Sequence, residues 1–195
     1  MKMKKVVTLL FLMVTLSVRA QLIAVSTDVA MDALMAPSIG AEIVTGNKSS
    51  LSVNATFTRN PYGKTLKGWA VQPEYRYYFS GRPIKGWFVG LGGIGGVYDA
   101  SIRSKVYDGY AVGGGITFGY VLTFKGKRKK DGGFLDRLGI DFHSGFGAIY
   151  YRRKEYYIND NFDIDFSVNG IEQANAKGYY LLPTRFGVSV SYVLF

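Results

Sequence analysis

The sequence predicts an all-β protein: an eight-stranded antiparallel transmembrane β-barrel, among the smallest of its kind, behind a cleavable signal peptide. Three observations carry this. Apolar and polar residues alternate with a period of two through eight separate stretches, as in strands whose two faces meet different media. The composition, 25 Gly, 15 Tyr and 13 Phe against 5 Pro, is that of a sheet with tight turns and a lipid-facing surface. The chain also opens with basic residues and a short apolar run.

That opening divides the chain into a signal peptide over 1–20 and a barrel domain over 21–195. Lys2, Lys4 and Lys5 precede an apolar run of 13 residues from Val6 to Val18, and Val18-Arg19-Ala20 offers a cleavage site before Gln21. The run is shorter than the roughly 20 residues a spanning helix needs. No later segment is a continuous apolar helix, so membrane residence would require a closed sheet.

The strands follow in order. Over 22–35, Ile23, Val25, Val29 and Met31 oppose Ser26, Asp28 and Asp32. Over 38–46, Ile39, Ala41 and Ile43 oppose Gly40 and Glu42. Over 50–58, Leu51, Val53, Ala55 and Phe57 oppose Ser52, Asn54 and Thr56. The most regular stretch sets Trp69, Val71, Pro73, Tyr75, Tyr77 and Phe79 against Gln72, Glu74, Arg76 and Tyr78. Residues 86–98 are Gly-rich, with Trp87, Val89 and Leu91 on one side. Over 110–124, Tyr110, Val112, Ile116, Phe118, Tyr120 and Leu122 oppose small residues. Over 137–151, Leu138, Ile140, Phe142 and Phe146 oppose Asp141, His143, Gly145 and Gly147. Over 179–194, Phe186, Val188, Val190, Tyr192 and Leu194 oppose Arg185, Gly187, Ser189 and Ser191. Each is read as a tilted crossing of about 9–11 residues. Pro73 cannot donate to a ladder and predicts a bulge. Phe195 is an aromatic end of the kind outer-membrane barrels present for assembly, but it is out of phase with Leu194, which predicts a second bulge.

The connections are predicted to alternate. Inner turns fall at Gly46–Ser49, Ser80–Lys85 and Lys125–Arg137, and outer ones at Ala36–Pro37, Arg59–Gly68, Asp99–Asp108 and Arg153–Gly178. The last carries Tyr156, Tyr157, Phe162 and Phe166, candidate outer-loop contacts with a partner. Phe162, Ile164, Phe166 and Val168 alternate with polar residues and could form a hairpin there. Lys125, Lys127, Arg128, Lys129 and Lys130 make a basic turn, read as solvated or as a contact for anionic headgroups.

Several function classes are excluded. The chain has no Cys, so no disulfide scaffold or thiolate metal site. The net charge of +10 falls to +6 once Lys2, Lys4, Lys5 and Arg19 are removed, too mild for a nucleic-acid partner.

The segments Asp32-Ala33-Leu34-Met35-Ala36-Pro37-Ser38-Ile39-Gly40-Ala41-Glu42 and Trp69-Ala70-Val71-Gln72-Pro73-Glu74-Tyr75-Arg76-Tyr77-Tyr78-Phe79 resemble the landmarks of a family of small outer-membrane barrels of unknown function. Its members often sit near fimbrial (pilus-assembly) genes. The Gly-rich strands around Gly90 and from Gly113 to Tyr120 fit it too, whereas the basic turn 125–137 and Ser38, where the family usually has Asn, depart from it. The resemblance implies the outer membrane of a Gram-negative bacterium and no catalytic residue.

The faces opposite the apolar ones supply the candidate site, a lumen network of Asp28, Asp32, Glu42, Gln72, Glu74, Arg76, Asp141, His143 and Arg185. An eight-stranded barrel has room inside for side chains and little else, so these charges must pair. Five carboxylates against two arginines leave a surplus of three acids. The network reads as a plug, with a narrow conducting path as the alternative. Gly90-Leu91-Gly92-Gly93-Ile94-Gly95 matches G-x-G-x-x-G, but no helical pattern follows to hold a pyrophosphate; it reads as glycine making room in a narrow barrel. Asp141-x-His143 lies mid-strand facing inward, a plug element more than a hydrolase pair.

The expected function is therefore a non-catalytic outer-membrane barrel with a structural, surface-interaction or fimbria-anchoring role. Outer-membrane lipid and possible fimbrial or cell-surface proteins are the expected partners, with no cofactor, no metal and a monomeric state. A barrel enzyme acting on lipid or peptide, or a small channel, are the alternatives.

Overall fold

The alternating stretches close on themselves. The computed structural model describes residues 22–102, 104–124, 134–157, 167–168, 171–172 and 174–194. Its ring strands are β1 (Ile23–Asp28), β2 (Ser38–Val44), β3 (Ser49–Arg59), β4 (Leu66–Tyr78), β5 (Gly86–Ile102), β6 (Lys105–Thr123), β7 (Leu138–Tyr157) and β10 (Ala176–Val193). A two-residue pair, β8 (Ser167–Val168) and β9 (Ile171–Glu172), lies between the last two. All ring pairings are antiparallel, and β10 meets β1 with Ala24 opposite Val193 and Asp28 opposite Ser189. Closure removes the free edge along Ser189–Val193, while β10 from Ala176 to Val188 has a strand partner only on its β7 side among the described residues.

The two faces are those the period predicts. Along β4, Glu74, Arg76 and Tyr78 are buried while Tyr75 and Tyr77 are exposed; along β7, Asp141 and His143 are buried while Phe142 and Phe146 are exposed. Among the described residues the buried set holds twelve polar or charged side chains and six apolar ones, the inverse of a water-soluble core.

Several expectations are corrected. The first strand does not run through 22–35. It stops at Asp28, whose carboxylate accepts from Ala30 N (3.0 Å) and Met31 N (3.2 Å) and so starts a short helix, α1 (Val29–Ala33). β1 and β2, of 6 and 7 residues, fall short of the expected crossing length. β5, β6, β7 and β10, of 17 to 20 residues, exceed it. They consume the expected outer connections: Ile102 pairs with Lys105, and Tyr156 and Tyr157 pair with Val106 and Lys105. Those two tyrosines are therefore strand residues, not loop residues. Asn175 prolongs the β7–β10 ladder with its side chain, accepting from Glu155 N (2.8 Å) and donating to Glu155 O (2.7 Å).

The expected bulge at Pro73 is absent. Pairing with β5 is interrupted at Gln72–Pro73, but Val71 opposite Gly95 and Glu74 opposite Gly92 keep one register. The register shift lies between Pro183 and Arg185, against Phe146 and Gly145. This bulge at Thr184 changes the phase of β10: Tyr179 and Leu181 face out before it, Phe186 after it. Residues 1–21, the basic turn 125–133, Phe162, Phe166 and Phe195 lie outside the described residues.

Candidate functional site

The lumen is filled in layers, beginning at the end that carries the Thr45–Lys48 and Phe79–Lys85 turns. Ala24, Tyr78, Ile84, Phe88 and Val121 pack there into a small apolar plug. Ile84 reaches it from a turn, with φ at 58°, a left-handed conformation that a β-branched residue adopts only under strain. Packing in the plug offsets that strain. Ile84 carries no periodic signal, and the sequence reading passed over it.

Above the plug lies the ionic layer, centred on Arg76. Its Nε donates to Glu74 Oε2 at 2.7 Å, and its Nη1 to Glu42 Oε2 at 3.0 Å and Asp141 Oδ2 at 2.9 Å. β2, β4 and β7 are thus tied through one guanidinium, which also lies 4.5 Å above the Phe88 ring centre. Tyr78 and Ser50 donate to Glu42 Oε1 at 2.6 and 2.5 Å. On the far wall, Arg185 Nη1 donates to Glu74 Oε2 at 2.6 Å. His143, with a side chain 0% exposed, sits between two carboxylates: Nε2 is 3.2 Å from Asp28 Oδ2 and Nδ1 is 3.6 Å from Asp141 Oδ1.

Seven of the nine predicted lumen residues thus form one ionic network: Asp28, Glu42, Glu74, Arg76, Asp141, His143 and Arg185. Gln72 belongs to the next level, where its Nε2 donates to Thr184 O at 3.1 Å. β4 and β10 stand opposite each other in the ring, so this bond is a strut across the bore, and the Thr184 bulge presents the carbonyl that receives it. Asp32 is not in the lumen network. It lies on α1, accepts from the Thr27 hydroxyl (2.7 Å) and Ser38 N (2.9 Å), and fastens the β1–β2 connection. Its departure leaves four carboxylates to two guanidiniums, and the acid surplus is two rather than three.

The glycines of β5, β6 and β10 make the room. A Cβ on Gly90 would occupy the place of the Glu74 carboxylate, one on Gly119 would meet the Phe88 ring, and one on Gly187 would meet the Asp28 carboxylate. The G-x-G-x-x-G match lies wholly within β5, where Gly90 is a space requirement. Gly90→Ala is expected to cost about 1–3 kcal/mol by displacing a pinned carboxylate. Gly95→Ala, whose Cβ would meet nothing within 4 Å, should be close to neutral. Equal urea midpoints for the two variants would show that Glu74 is not held.

At the opposite end the tall strands carry a partly exposed ionic cluster. Arg153 Nε donates to Glu155 Oε1 at 2.7 Å and Lys105 Nζ to Glu155 Oε2 at 3.4 Å. The Arg153 guanidinium lies 4.6 Å from the Tyr151 ring centre, and Tyr151 stacks on Tyr180 at 4.8 Å. Burial works against the Glu155 carboxylate, but Arg153 and Lys105 hold it below the usual carboxylate range. Among the described residues no group of three or more His, Asp or Glu side chains could hold a metal ion.

Residues 6–194 match the model of a family described as "Protein of unknown function (DUF3575)". No curated protein and no solved structure matches the chain. The resemblance drawn from the two landmark segments is borne out as far as membership of an uncharacterised family.

Proposed function

The chain belongs to the DUF3575 family, and from its own geometry we propose that it is an outer-membrane β-barrel with a structural or surface-interaction role, including anchoring of a fimbrial assembly. The observation that carries this is the inverted polarity. Val53, Tyr75, Leu91, Ile116, Phe118, Phe146 and Phe186 are each at least 42% exposed around the ring, while the charges of the ionic layer are inside. Water-soluble monomers rarely expose a continuous apolar belt of this extent, and a bilayer is the medium that covers it on all sides. Aromatic residues flank the belt near both ends: Tyr77, Phe79, Trp87 and Tyr120 towards the short turns, and Phe57, Trp69, Tyr110 and Tyr179 towards the other. Amphipathic rings favour such interfacial positions.

A non-catalytic role agrees with the burial of His143, whose imidazole is fully enclosed between Asp28 and Asp141. A plug rather than a channel agrees with the apolar layer under the ionic one. A signal peptide over 1–20 and a Gram-negative envelope are part of the same proposal.

Cell fractionation tests it. The mature protein should appear with outer-membrane material and migrate faster on gels unheated than boiled, as closed barrels do. Purified protein in a planar bilayer should show no steady large conductance. Recovery in the soluble periplasm would overturn the membrane reading, and a steady open current would overturn the plug.

A further inference from the structure

β10 is longer than the strand that closes the ring onto it. β1 meets it only from Asp28 opposite Ser189 to Ala24 opposite Val193, while β7 runs beside it from Ala176 to Tyr192. Which backbone groups this leaves free follows from the alternation of a strand. Asn175 bonds to both Glu155 N and Glu155 O, so Glu155 turns its groups towards β10. At every second position Arg153, Tyr151 and Ile149 do the same, answered by Ala176, Gly178 and Tyr180. Lys177, Tyr179, Leu181 and Pro183 therefore turn their groups away from β7. The closed end agrees once the Thr184 bulge is counted, because Leu194 N donates to Ile23 O on that same side.

Among the described residues nothing accepts from the N–H of Lys177, Tyr179 or Leu181. Pro183 has no N–H to offer, and it stands where none is used, as prolines of edge strands do. The residues with free backbone groups also carry the outward side chains, Tyr179 being 77% exposed and Leu181 72%. The outer flank of the edge is basic. Lys177 stands directly opposite Arg152, both are exposed, and neither is in an ion pair among the described residues. Like charges placed opposite each other are unfavourable, and a carboxylate beside Lys177 relieves them. The inner flank is apolar and aromatic: Tyr180 stacks on Tyr151, and Leu182 pairs with the inward Gly147.

We propose that the edge of β10 from Lys177 to Leu181 takes up an extended segment of another protein as an added antiparallel strand, with carboxylates on its outward face and apolar side chains on its inward face. Pairing β10 with the β10 of a second copy would instead bring further cations to Lys177 and Arg152. The proposal rests on the surface-interaction reading and names its partner; it makes no use of the bilayer.

The probe is the blocked octapeptide (Glu-Val)4, added to the full mature chain in detergent micelles and followed by amide hydrogen exchange. Without peptide, the Lys177, Tyr179 and Leu181 amides should exchange fast and those of Gly178 and Tyr180 slowly; saturating peptide should slow them all. (Lys-Val)4 should bind about tenfold more weakly or worse, an opposite-charge pairing being replaced by a like-charge one. N-methylation of the Glu residues, whose amides face β10, should abolish binding, and N-methylation of the Val residues should not. Tyr179→Pro removes a free amide and no bond to β7, so it should abolish peptide protection and keep heat-modifiable migration. If that variant does not fold, Lys177→Glu carries the test by erasing the preference for (Glu-Val)4. Amides already slow without peptide, equal binding of the two peptides, or binding that survives N-methylation at Glu would each overturn the proposal. Recovery in the soluble periplasm overturns the membrane reading alone, whereas an unresponsive edge on an outer-membrane protein overturns this site alone.

Discussion

Arg76→Ala should lower the unfolding free energy of the barrel by at least about 3–5 kcal/mol, while Lys64→Ala should leave it within about 0.5 kcal/mol. Lys64 is exposed in the β3–β4 connection. Arg76 is 3% exposed and is the shared partner of Glu42, Glu74 and Asp141. Its removal leaves three carboxylates facing one another in a bore from which water is largely excluded. Truncating the central charge costs more than any one pair contributes, because every partner is orphaned at once. Glu74→Ala should also be severe, since Glu74 joins Arg76 to Arg185. Urea titrations of protein refolded into vesicles measure all three. Comparable midpoints would show that the network contributes nothing to stability.

Ile116→Arg is expected to cost about 2–4 kcal/mol, the value for a cation near the bilayer midplane on the outer face of a barrel. Ile116 lies on β6 between Tyr110 and Tyr120 and pairs with Leu91 and Phe146, each of them exposed. It therefore sits midway between the two aromatic zones. The same substitution on a barrel surrounded by water would be neutral, because it would exchange an exposed apolar side chain for a solvated one. Loss of folding yield in vesicles with unchanged yield for Lys64→Arg is the expected outcome. An Ile116→Arg protein as stable as the parent would place that face in water.

The residues that were legible beforehand are those on which one physical rule acts alone. Between Glu74 and Tyr78 only burial on one face matters, and the period of two reads off directly. The ionic centre was legible for the same reason, since charges on that face have nowhere to go but inside. Where a second rule competes, the period misleads. Val29 and Met31 continue the apolar alternation of β1, yet the Asp28 carboxylate caps their amides and turns the chain into α1. Asp32 was assigned to the lumen by the same extrapolation. In β5 and β6 the stretch from Asp99 to Asp108 carries four charges and no sustained apolar alternation, so strand ends at Ile102 and Lys105 were taken for loop. The bulge was expected at Pro73 because proline lacks a donor; an interrupted pairing there accommodates it without a shift, and the extra residue appears at Thr184. Ile84 and Asn175 act through a positive φ and a side-chain mimic of backbone, neither of which has a periodic signature.

In the proposed membrane setting, the unequal strands would have a consequence for the surrounding lipid. At about 3.3 Å per residue, β1 is roughly 20 Å long and β7 roughly 66 Å, and a tilt of about 40° shortens both in height. One flank of the cylinder is therefore shorter than a hydrocarbon layer of about 25–30 Å. Leu22, Val29, Leu34 and Met35, all exposed, prolong the greasy surface on that flank but do not complete a full crossing. Acyl chains beside β1 and β2 would have to compress, or the whole cylinder lean until its low side is covered. Either response is a hydrophobic mismatch confined to one azimuth. In a bilayer such a body would indent the membrane on one side only, and two copies would lower the total deformation by bringing their low flanks together.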